Sequence, residues 1–315
     1  MPTNIAAKNE DGLTALHSAA RFGQVAAVHM LIEAKAEIDV EDYENKAPLH
    51  HAAECGHSAV VQALINAKAT VDVRDHGFSC WAELQTPLHY AARHGHTEVV
   101  QILIDAKAHV DAEDGSKCSP LHRAAQNDHL EVMQMLIDAN ADVDAIDESR
   151  ATSLHLAAQG GRSAAIQVLV DANATIDSRD VFSFTPLHFA ARGGHVGVVR
   201  MLLERKASVH AKNRDFSSQE HYTPLHLAAI GGHSAVISAL LDAKASVDAT
   251  DRYSETALHH ASLKGHTEAV QALLVSKAAV DLRGHASMTC LHYAAKNGHE
   301  AIIRALLQDF HSTYQ

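Results

Sequence analysis

The sequence predicts an all-α solenoid in which nine helix-turn-helix units follow one another along a chain of 315 residues. The prediction depends on a recurring stretch such as "TPLHFAARGGH", which starts at Thr185, and on the regular spacing of its first histidine. The nine motif histidines are His17, His50, His89, His122, His155, His188, His226, His259 and His292. Consecutive ones are 33 residues apart, except for two intervals of 39 and 38 residues. A fixed period near 33 residues is typical of stacked repeats, and an active site does not occur nine times in one chain.

The composition supports a long array with a small-residue core. Hydrophobic residues make up 47% of the chain but aromatic residues only 4%, so we expect a core of Ala, Leu, Val and Ile. The formal net charge of −12 disfavours nucleic acid and anionic membranes as partners, because both attract basic surfaces. The cysteines Cys55, Cys80, Cys118 and Cys290 lie in different repeats at unrelated positions. They form neither a disulfide framework nor a paired zinc motif, and reduced thiols fit the cytoplasm or nucleus.

The third repeat illustrates how the first helix of each unit is specified. Thr86 is a good N-cap, and Pro87 suits the first helical position, where the missing N–H costs nothing. Leu and Ala then give a short helix with a small face for close packing. Gly95 ends this helix, and the same position holds Gly in eight repeats and Asp128 in one.

The second helix of the same repeat follows as "HTEVVQILIDA", with apolar residues at i and i+4. Lys107 ends it, and the segment "AHVDAEDGSK" supplies β-type and turn residues before the next cap. Each unit is therefore predicted to be a helix, a turn, a second helix and an extended turn. Neither helix is long enough to be stable alone, so stacking must bury the apolar faces.

This pattern resembles the ankyrin repeat family, whose hallmark is T-P-L-H-x-A-A, then G-H, then a Val/Leu helix and A-x-V-N-A-x-D. The resemblance covers residues 3–310. It implies a curved stack of helix pairs with β-hairpin fingers projecting from one edge. We accordingly expect residues 1–315 to form a single repeat domain, with lengthened fingers at 75–85 and 212–222.

The chain departs from the family pattern in two regular ways. Where the family has Gly after the second helix, this chain has Lys35, Lys68, Lys107, Asn140, Asn173, Lys206, Lys244 and Lys277. If this residue is left-handed, Lys carries a modest strain that Gly would not. Where the family has Asn in the finger, this chain has Asp39, Asp72, Asp111, Asp144, Asp177, His210, Asp248 and Asp281.

The 26 histidines suggest metal binding, but most of them follow the repeat. Besides the nine motif histidines, seven more follow the turn between the helices: His57, His96, His129, His195, His233, His266 and His299. These sixteen are predicted to be structural. The strongest remaining metal candidate is a zinc site formed by His51, Cys55 and His94. The sequence otherwise predicts no metal and no cofactor.

Catalytic motifs are missing from the sequence, which has no P-loop, no nucleophile elbow and no H-E-x-x-H. The sequence therefore predicts that the protein is not an enzyme. The resemblance implies an interaction scaffold that binds a protein or peptide through its concave groove and finger tips.

The predicted binding surface lies in repeats 5–7. Gly160, Gly193 and Gly231 would leave a strip without side chains, where a partner can approach the backbone. Aromatic residues in fingers favour an interface, because aromatic and Arg side chains dominate binding energy. The candidate partner-binding residues are Phe182, Phe184, Arg192, Phe216, Tyr222 and Ile230, with Phe78 and Trp81 as a second contact.

Two other functions stay open at this point. The chain could be the recognition array of a larger enzyme or channel, or a histidine-rich protein that responds to metal or pH. For the predicted scaffold we expect a monomer in the cytoplasm or nucleus, with no nucleic-acid or membrane partner.

Overall fold

Each of the nine repeats forms a pair of helices joined by a tight turn, as the sequence predicts. The computed structural model describes residues 4–76, 84–214 and 221–313, with side chains as far as residue 309. The first helices are α1 (Ala15–Arg21), α3 (Pro48–Glu54), α5 (Pro87–His94), α7 (Pro120–Asn127), α9 (Ser153–Gln159), α11 (Pro186–Gly193), α13 (Pro224–Ile230), α15 (Ala257–Lys264) and α17 (Cys290–Lys296). The second helices are α2 (Val25–Glu33), α4 (Ser58–Asn66), α6 (Thr97–Asp105), α8 (Leu130–Asp138), α10 (Ser163–Asp171), α12 (Val196–Glu204), α14 (Ser234–Asp242), α16 (Thr267–Val275) and α18 (Glu300–Thr313).

The helices belong to two compact units. The N-terminal unit comprises Met1–Ser153 with Asp171–Ala174, and the C-terminal unit comprises Leu154–Val170 with Thr175–Gln315. Within each unit, the first helices of neighbouring repeats pack against one another, and so do the second helices. None of the helices in the described ranges combines the length and apolar character that crossing a membrane requires.

The core of each unit is made of small and aliphatic side chains, because short helices must approach closely to bury enough surface. In α5 the side chains of Leu88, Ala91 and Ala92 are fully buried, and in α6 the same holds for Val100 and Leu103. This arrangement confirms the apolar faces predicted from the i, i+4 spacing.

The fingers are tight turns, and the described residues contain no β-strand. The turn before α7 is closed by a 2.9 Å hydrogen bond from the N–H of Asp114 to the carbonyl oxygen of Cys118. The Asp114 carboxylate also accepts bonds from the N–H groups of Ser116 and Cys118, both at 2.9 Å. A side chain thus satisfies the backbone donors of the turn, so the expected hairpin closes without extended strands.

The aspartates that replace the family's finger Asn bind the backbone of the next repeat. Asp39 accepts a bond from the N–H of Thr70 at 3.1 Å, and Asp177 accepts one from the N–H of Ser208 at 3.0 Å. These carboxylates give the chain much of its acidity, and they also connect successive fingers.

The motif histidine connects each repeat to the one that follows it. The ring Nδ1 of His188 lies 3.1 Å from the N–H of Thr185, which donates to it, so the ring proton must be on Nε2. Nε2 then donates to the carbonyl oxygen of Tyr222, in the next repeat, at 3.1 Å. In the described parts of the chain this bond forms at His17, His50, His89, His122, His155, His188, His226 and His259.

The histidine after the inter-helix turn makes a connection in the opposite direction. His233 donates from Nε2 to the carbonyl oxygen of Arg192 in the preceding repeat at 3.1 Å. A Cβ built on Gly194 would lie 2.6 Å from the His233 ring, so a side chain at this left-handed position, with φ of 74°, would displace it. All seven turn histidines donate in this way within the described residues: His57, His96, His129, His195, His233, His266 and His299. These bonds explain the predicted structural role of fifteen of the sixteen histidines; at His292, in the last repeat, the N–H of Thr289 donates to Nδ1.

The residue after each second helix is left-handed, as the departure from glycine suggested. Its φ lies between 61° and 71° at Lys35, Lys68, Lys107, Asn140, Asn173, Lys206, Lys244 and Lys277. Lys in this conformation brings its Cβ close to the backbone carbonyl, which glycine avoids.

Replacing Lys107 by Gly should raise the free energy of unfolding by about 0.5–1 kcal/mol. This is the left-handed strain of about 1–2 kcal/mol that is removed, less the added freedom of glycine in the unfolded chain. Urea unfolding of the two proteins measures the difference. The control Arg200→Gly, inside α12, should lower the free energy of unfolding by about 1 kcal/mol, and a loss at Lys107 would contradict the strain.

Acid should destabilise the stack between pH 6.5 and pH 4. Burial lowers the pKa of His50, His89, His188 and His226 from 6.5 to about 4, although their bonds to backbone carbonyls oppose the shift. The unfolded chain therefore binds protons first, and each of these histidines removes up to about 3 kcal/mol of stability as the pH falls through this window.

Urea unfolding measured at pH 7, 6, 5 and 4.5 tests this dependence. We expect the free energy of unfolding to be greatest above pH 6.5 and to fall steadily below it. His188→Asn, which does not titrate in this range, should show a shallower decline from a lower starting value. Equal stability at pH 7 and pH 4.5 would be inconsistent with buried neutral histidines.

Candidate partner-binding surface

The ends of the first helices present Arg192 and Ile230 in the C-terminal unit. Arg192 lies in the last turn of α11 and is exposed, whereas Ile230 ends α13 and is half-buried. Their carbonyl oxygens accept the bonds from the turn histidines His233 and His266, at 3.1 and 3.0 Å. The backbone under both side chains is therefore fixed. The Arg192 side chain forms no ion pair with any residue in the described ranges.

The glycines beside these residues have a steric reason inside their own repeats. A Cβ on Gly193 would lie 2.5 Å from Nε2 of His195, and one on Gly231 would lie 2.4 Å from Nε2 of His233. At Gly160 the nearest atom is Cγ of Arg162 at 3.2 Å. At two of these three glycines, a histidine ring of the same repeat therefore fills the space left by the missing side chain. The sequence analysis predicts that a partner uses this space.

The finger before α11 carries two aromatic side chains in different surroundings. Phe182 is 42% exposed. Phe184 is half-buried, and its ring packs edge-on against His188 at 5.5 Å between centroids and beside Phe189 at 5.7 Å. Phe182 is available to a partner, whereas Phe184 braces the finger against α11.

Tyr222 also contacts rings of its own unit. Its ring lies 5.2 Å from that of His260, edge to face, and 5.9 Å from that of His226. The Tyr222 carbonyl oxygen accepts the bond from His188. The other predicted contact residues, Phe78, Trp81 and Phe216, lie outside the described residues.

A second aspartate of the finger, three residues after the position where the family has Asn, makes a contact that the sequence analysis missed. One of its oxygens closes the finger, and the other binds the residue that follows the motif histidine. The described pairs are Asp42 with His51 at 2.7 Å, Asp75 with Tyr90 at 2.5 Å, Asp114 with Arg123, and Asp251 with His260 at 3.0 Å. These four repeats thus fix the finger to the first helix through His, Tyr or Arg as the partner of the aspartate.

The predicted zinc ligands are not brought together. His51 binds Asp42 instead, and it shares the space with the ring of His17, 5.6 Å away. The ring of His94 is stacked on His96 at 6.0 Å. This candidate site is not formed, because the finger aspartate faces His51, which spacing alone does not show.

Within the described residues, two groups of three side chains could hold a metal ion. They are His17, Asp42 and His51 in the N-terminal unit, and Asp251, Glu255 and His260 in the C-terminal unit, with ligand atoms within 4.8 Å of one another. Hydrogen bonds already occupy these atoms: His17 donates to Lys46, and Tyr293 donates to Glu255. Burial alone would raise the pKa of Asp42 and of Asp251, but bonds from His51, His260 and backbone N–H groups lower it below 3.8.

Comparison with known proteins agrees with the repeat geometry. The family model for ankyrin repeats (3 copies) matches residues 2–75, 78–147, 140–213, 211–283 and 250–314. The chain belongs to the ankyrin repeat family. No curated protein matches it.

Among solved structures, this ankyrin repeat chain is similar to the crystal structure of the human ASB11 ankyrin repeat domain. The sequences are 29% identical, and the TM-score is 0.65. The similarity covers 73% of this chain and 98% of the ASB11 domain. Ankyrin repeats are typical interaction scaffolds, which is the general function that the family supports.

The stabilities of Phe184→Ala and Phe182→Ala should show which of the two rings braces the finger. Removing the packed Phe184 ring should lower the free energy of unfolding by about 2 kcal/mol, whereas removing the exposed Phe182 ring should change it by less than about 0.5 kcal/mol. Urea unfolding of both variants provides the measurement. Equal losses would mean that Phe182 also braces the finger.

Proposed function

We propose that the protein is a non-catalytic scaffold that binds a protein or peptide partner through repeats 5–7. Phe182, Arg192 and Ile230 form the centre of the proposed surface, with Phe184 and Tyr222 around it. Phe216, which lies outside the described residues, is proposed as a further contact. The observation that carries the proposal is the combination of an exposed aromatic ring, an unpaired Arg and an apolar side chain on a fixed backbone. Such groups are typical of interface centres, and a fixed backbone reduces the entropy lost on binding.

The three described cysteines favour a non-catalytic role, because their thiols are not reactive at neutral pH. Burial raises the pKa of Cys118 and of Cys290 to about 12, so both stay protonated at neutral pH. Burial, followed by the charge of Glu54, also raises the pKa of Cys55. Inert thiols fit the proposed cytoplasmic or nuclear location, where disulfides are rare.

The proposal includes a monomer and excludes nucleic acid and membranes as partners. The net charge of −12 supports the exclusion, because polyanions and anionic lipids are repelled by such a chain. Light scattering after size-exclusion chromatography measures the mass directly, for which 33.8 kDa is expected.

The partner is identified by affinity capture on the purified chain, followed by mass spectrometry, and its affinity is then measured with variants. Arg192→Ala, Ile230→Ala and Phe182→Ala should each weaken binding about 30-fold if the residue is a hot spot, since such residues contribute about 2 kcal/mol or more. Urea unfolding checks that each variant is as stable as the wild type.

Arg200→Ala provides the matched control, because Arg200 is an exposed Arg in the second helix of the same repeat. It should bind the partner normally. Normal binding by all three surface variants, together with loss of binding in Trp81→Ala, would move the site to the Phe78 and Trp81 finger.

A further inference from the structure

A cavity of about 350 Å³ lies between two fingers of the C-terminal unit, the one before α11 and the lengthened one before α13. We call it the basic finger pocket. It is lined by Arg179, Ser183, Lys212, Asn213, Arg214 and His221. Three of these side chains carry a permanent positive charge, and none of the described lining side chains is a carboxylate; Asp215 and Glu220 of the same finger lie outside the described residues. This concentration is unusual on a chain with a net charge of −12.

The cations of the pocket are held in place without an ion pair to any described residue. Arg179 donates from Nη1 to the carbonyl oxygen of Lys212 at 3.1 Å, and Lys212 donates from Nζ to that of Thr250 at 2.8 Å. The N–H of Arg214 donates to the carbonyl oxygen of Phe182 at 2.7 Å. Among residues 4–76, 84–214 and 221–309, no carboxylate forms an ion pair with Arg179, Lys212 or Arg214. Positively charged donors therefore face the cavity with part of their capacity unused.

Asn213 supplies a second, independent observation. It is 2% exposed, and its Oδ1 accepts a bond from the N–H of Tyr222 at 2.5 Å. This bond fixes the orientation of the amide, and the buried Nδ2 has no acceptor among the described residues. A buried donor without an acceptor costs stability, so an anionic oxygen would be favoured beside it.

The asparagine differs from the residue in most other fingers, although Asn9 holds the same position in the first finger and Gly284 holds it in the last. The same position holds an aspartate in the six fingers with Asp42, Asp75, Asp114, Asp147, Asp180 and Asp251. In the neighbouring finger, Asp180 closes the turn in the same way, because it accepts a bond from the N–H of Phe184 at 2.8 Å. Asn213 thus keeps the turn while it replaces a negative charge in the pocket wall with a donor.

A matching cavity in the N-terminal unit shows that the fold does not itself make such a site basic. Its volume is about 440 Å³, and Arg74 donates from Nη1 to the carbonyl oxygen of Glu113 at 2.7 Å, as Arg179 does to Lys212. Its lining includes the carboxylates of Asp72, Asp111 and Glu113. Glu113 stands where the basic finger pocket has Lys212.

We infer that the basic finger pocket binds an acidic peptide segment, whose Asp or Glu carboxylates contact the cations and whose neighbouring apolar side chain contacts Phe182. The inference rests on the proposed function and names the chemistry of its partner. Arg and Lys form strong charge-assisted bonds with carboxylates, and Asn213 can donate a further bond. Phe182 contributes its carbonyl oxygen to the pocket frame, and its ring is 42% exposed.

The test uses the full chain and two fluorescein-labelled peptides, Glu-Glu-Phe-Glu-Glu and Gln-Gln-Phe-Gln-Gln, followed by fluorescence anisotropy. We expect the Glu peptide to bind at least tenfold more tightly in 50 mM NaCl, and the preference to shrink in 300 mM NaCl because salt screens exposed charges. Equal affinity for the two peptides would overturn the inference.

Two variants locate the binding. Lys212→Glu with Arg214→Glu should reduce the affinity for the Glu peptide at least tenfold, whereas Arg93→Glu with Arg200→Glu changes the net charge equally, outside the pocket, and should have little effect. Similar losses in both double variants would show attraction to the whole chain instead of a site. Asn213→Asp introduces the aspartate that six other fingers have, should fold normally, and should bind the Glu peptide at least threefold more weakly.

Two further outcomes can be told apart, namely binding of nucleic acid in the pocket and failure of this inference without failure of the proposed function. A single-stranded DNA oligonucleotide that displaces the Glu peptide at lower concentration than unlabelled Glu peptide would make the pocket a nucleic-acid site and overturn the inference. Loss of the captured partner in Arg192→Ala, without any effect of the pocket variants on peptide binding, would leave the proposed function in place and remove only this inference.

Discussion

The stack depends on one interaction more than on any other, the hydrogen bond from a histidine Nε2 to a carbonyl oxygen of a neighbouring repeat. The motif histidine makes it towards the following repeat, and the turn histidine makes it towards the preceding one. Helices of seven to nine residues bury too little surface to be stable alone. The two bonds connect them across the repeat boundary, where helix-internal bonds cannot reach. Both require a proton on Nε2, and the motif histidine must in addition be neutral, because its Nδ1 accepts a bond from a backbone N–H.

These bonds also determine what the surface can do. The carbonyl groups at the helix ends are occupied, so Arg192 and Ile230 project from a backbone that does not need to reorganise when a partner binds. The fingers are fixed in a similar way, because Arg179 and Lys212 each reach the backbone of the next finger. Binding groups are thus held in place by contacts that leave their charge or their apolar surface available.

Much of the fold was predictable from the sequence because its signals are local. The cap of Thr86, the helix end at Gly95 and the left-handed Lys107 all follow from residue type and spacing. The finger contacts were not predictable in this way. Whether Asp42 reaches His51, or Phe184 reaches His188, depends on how a finger folds over the first helix, and spacing does not contain that angle. The same missing information suggested metal ligands that the fold keeps apart, and it left open whether Phe184 braces the finger or contacts a partner.

The residue that ends each first helix is correlated with the turn residue of the next repeat, and this limits how the chain can evolve. The glycine that ends each first helix gives room to the turn histidine of the following repeat, as Gly194 does for His233. Asp128 is the one residue other than glycine in this position, and the repeat after it has Arg162 in place of the turn histidine. The repeats are therefore not interchangeable. A duplication or exchange of whole units is compatible with the stack only when the end of one unit's first helix matches the turn residue of the next, so recombination within this chain is restricted by pairs of residues that belong to different repeats.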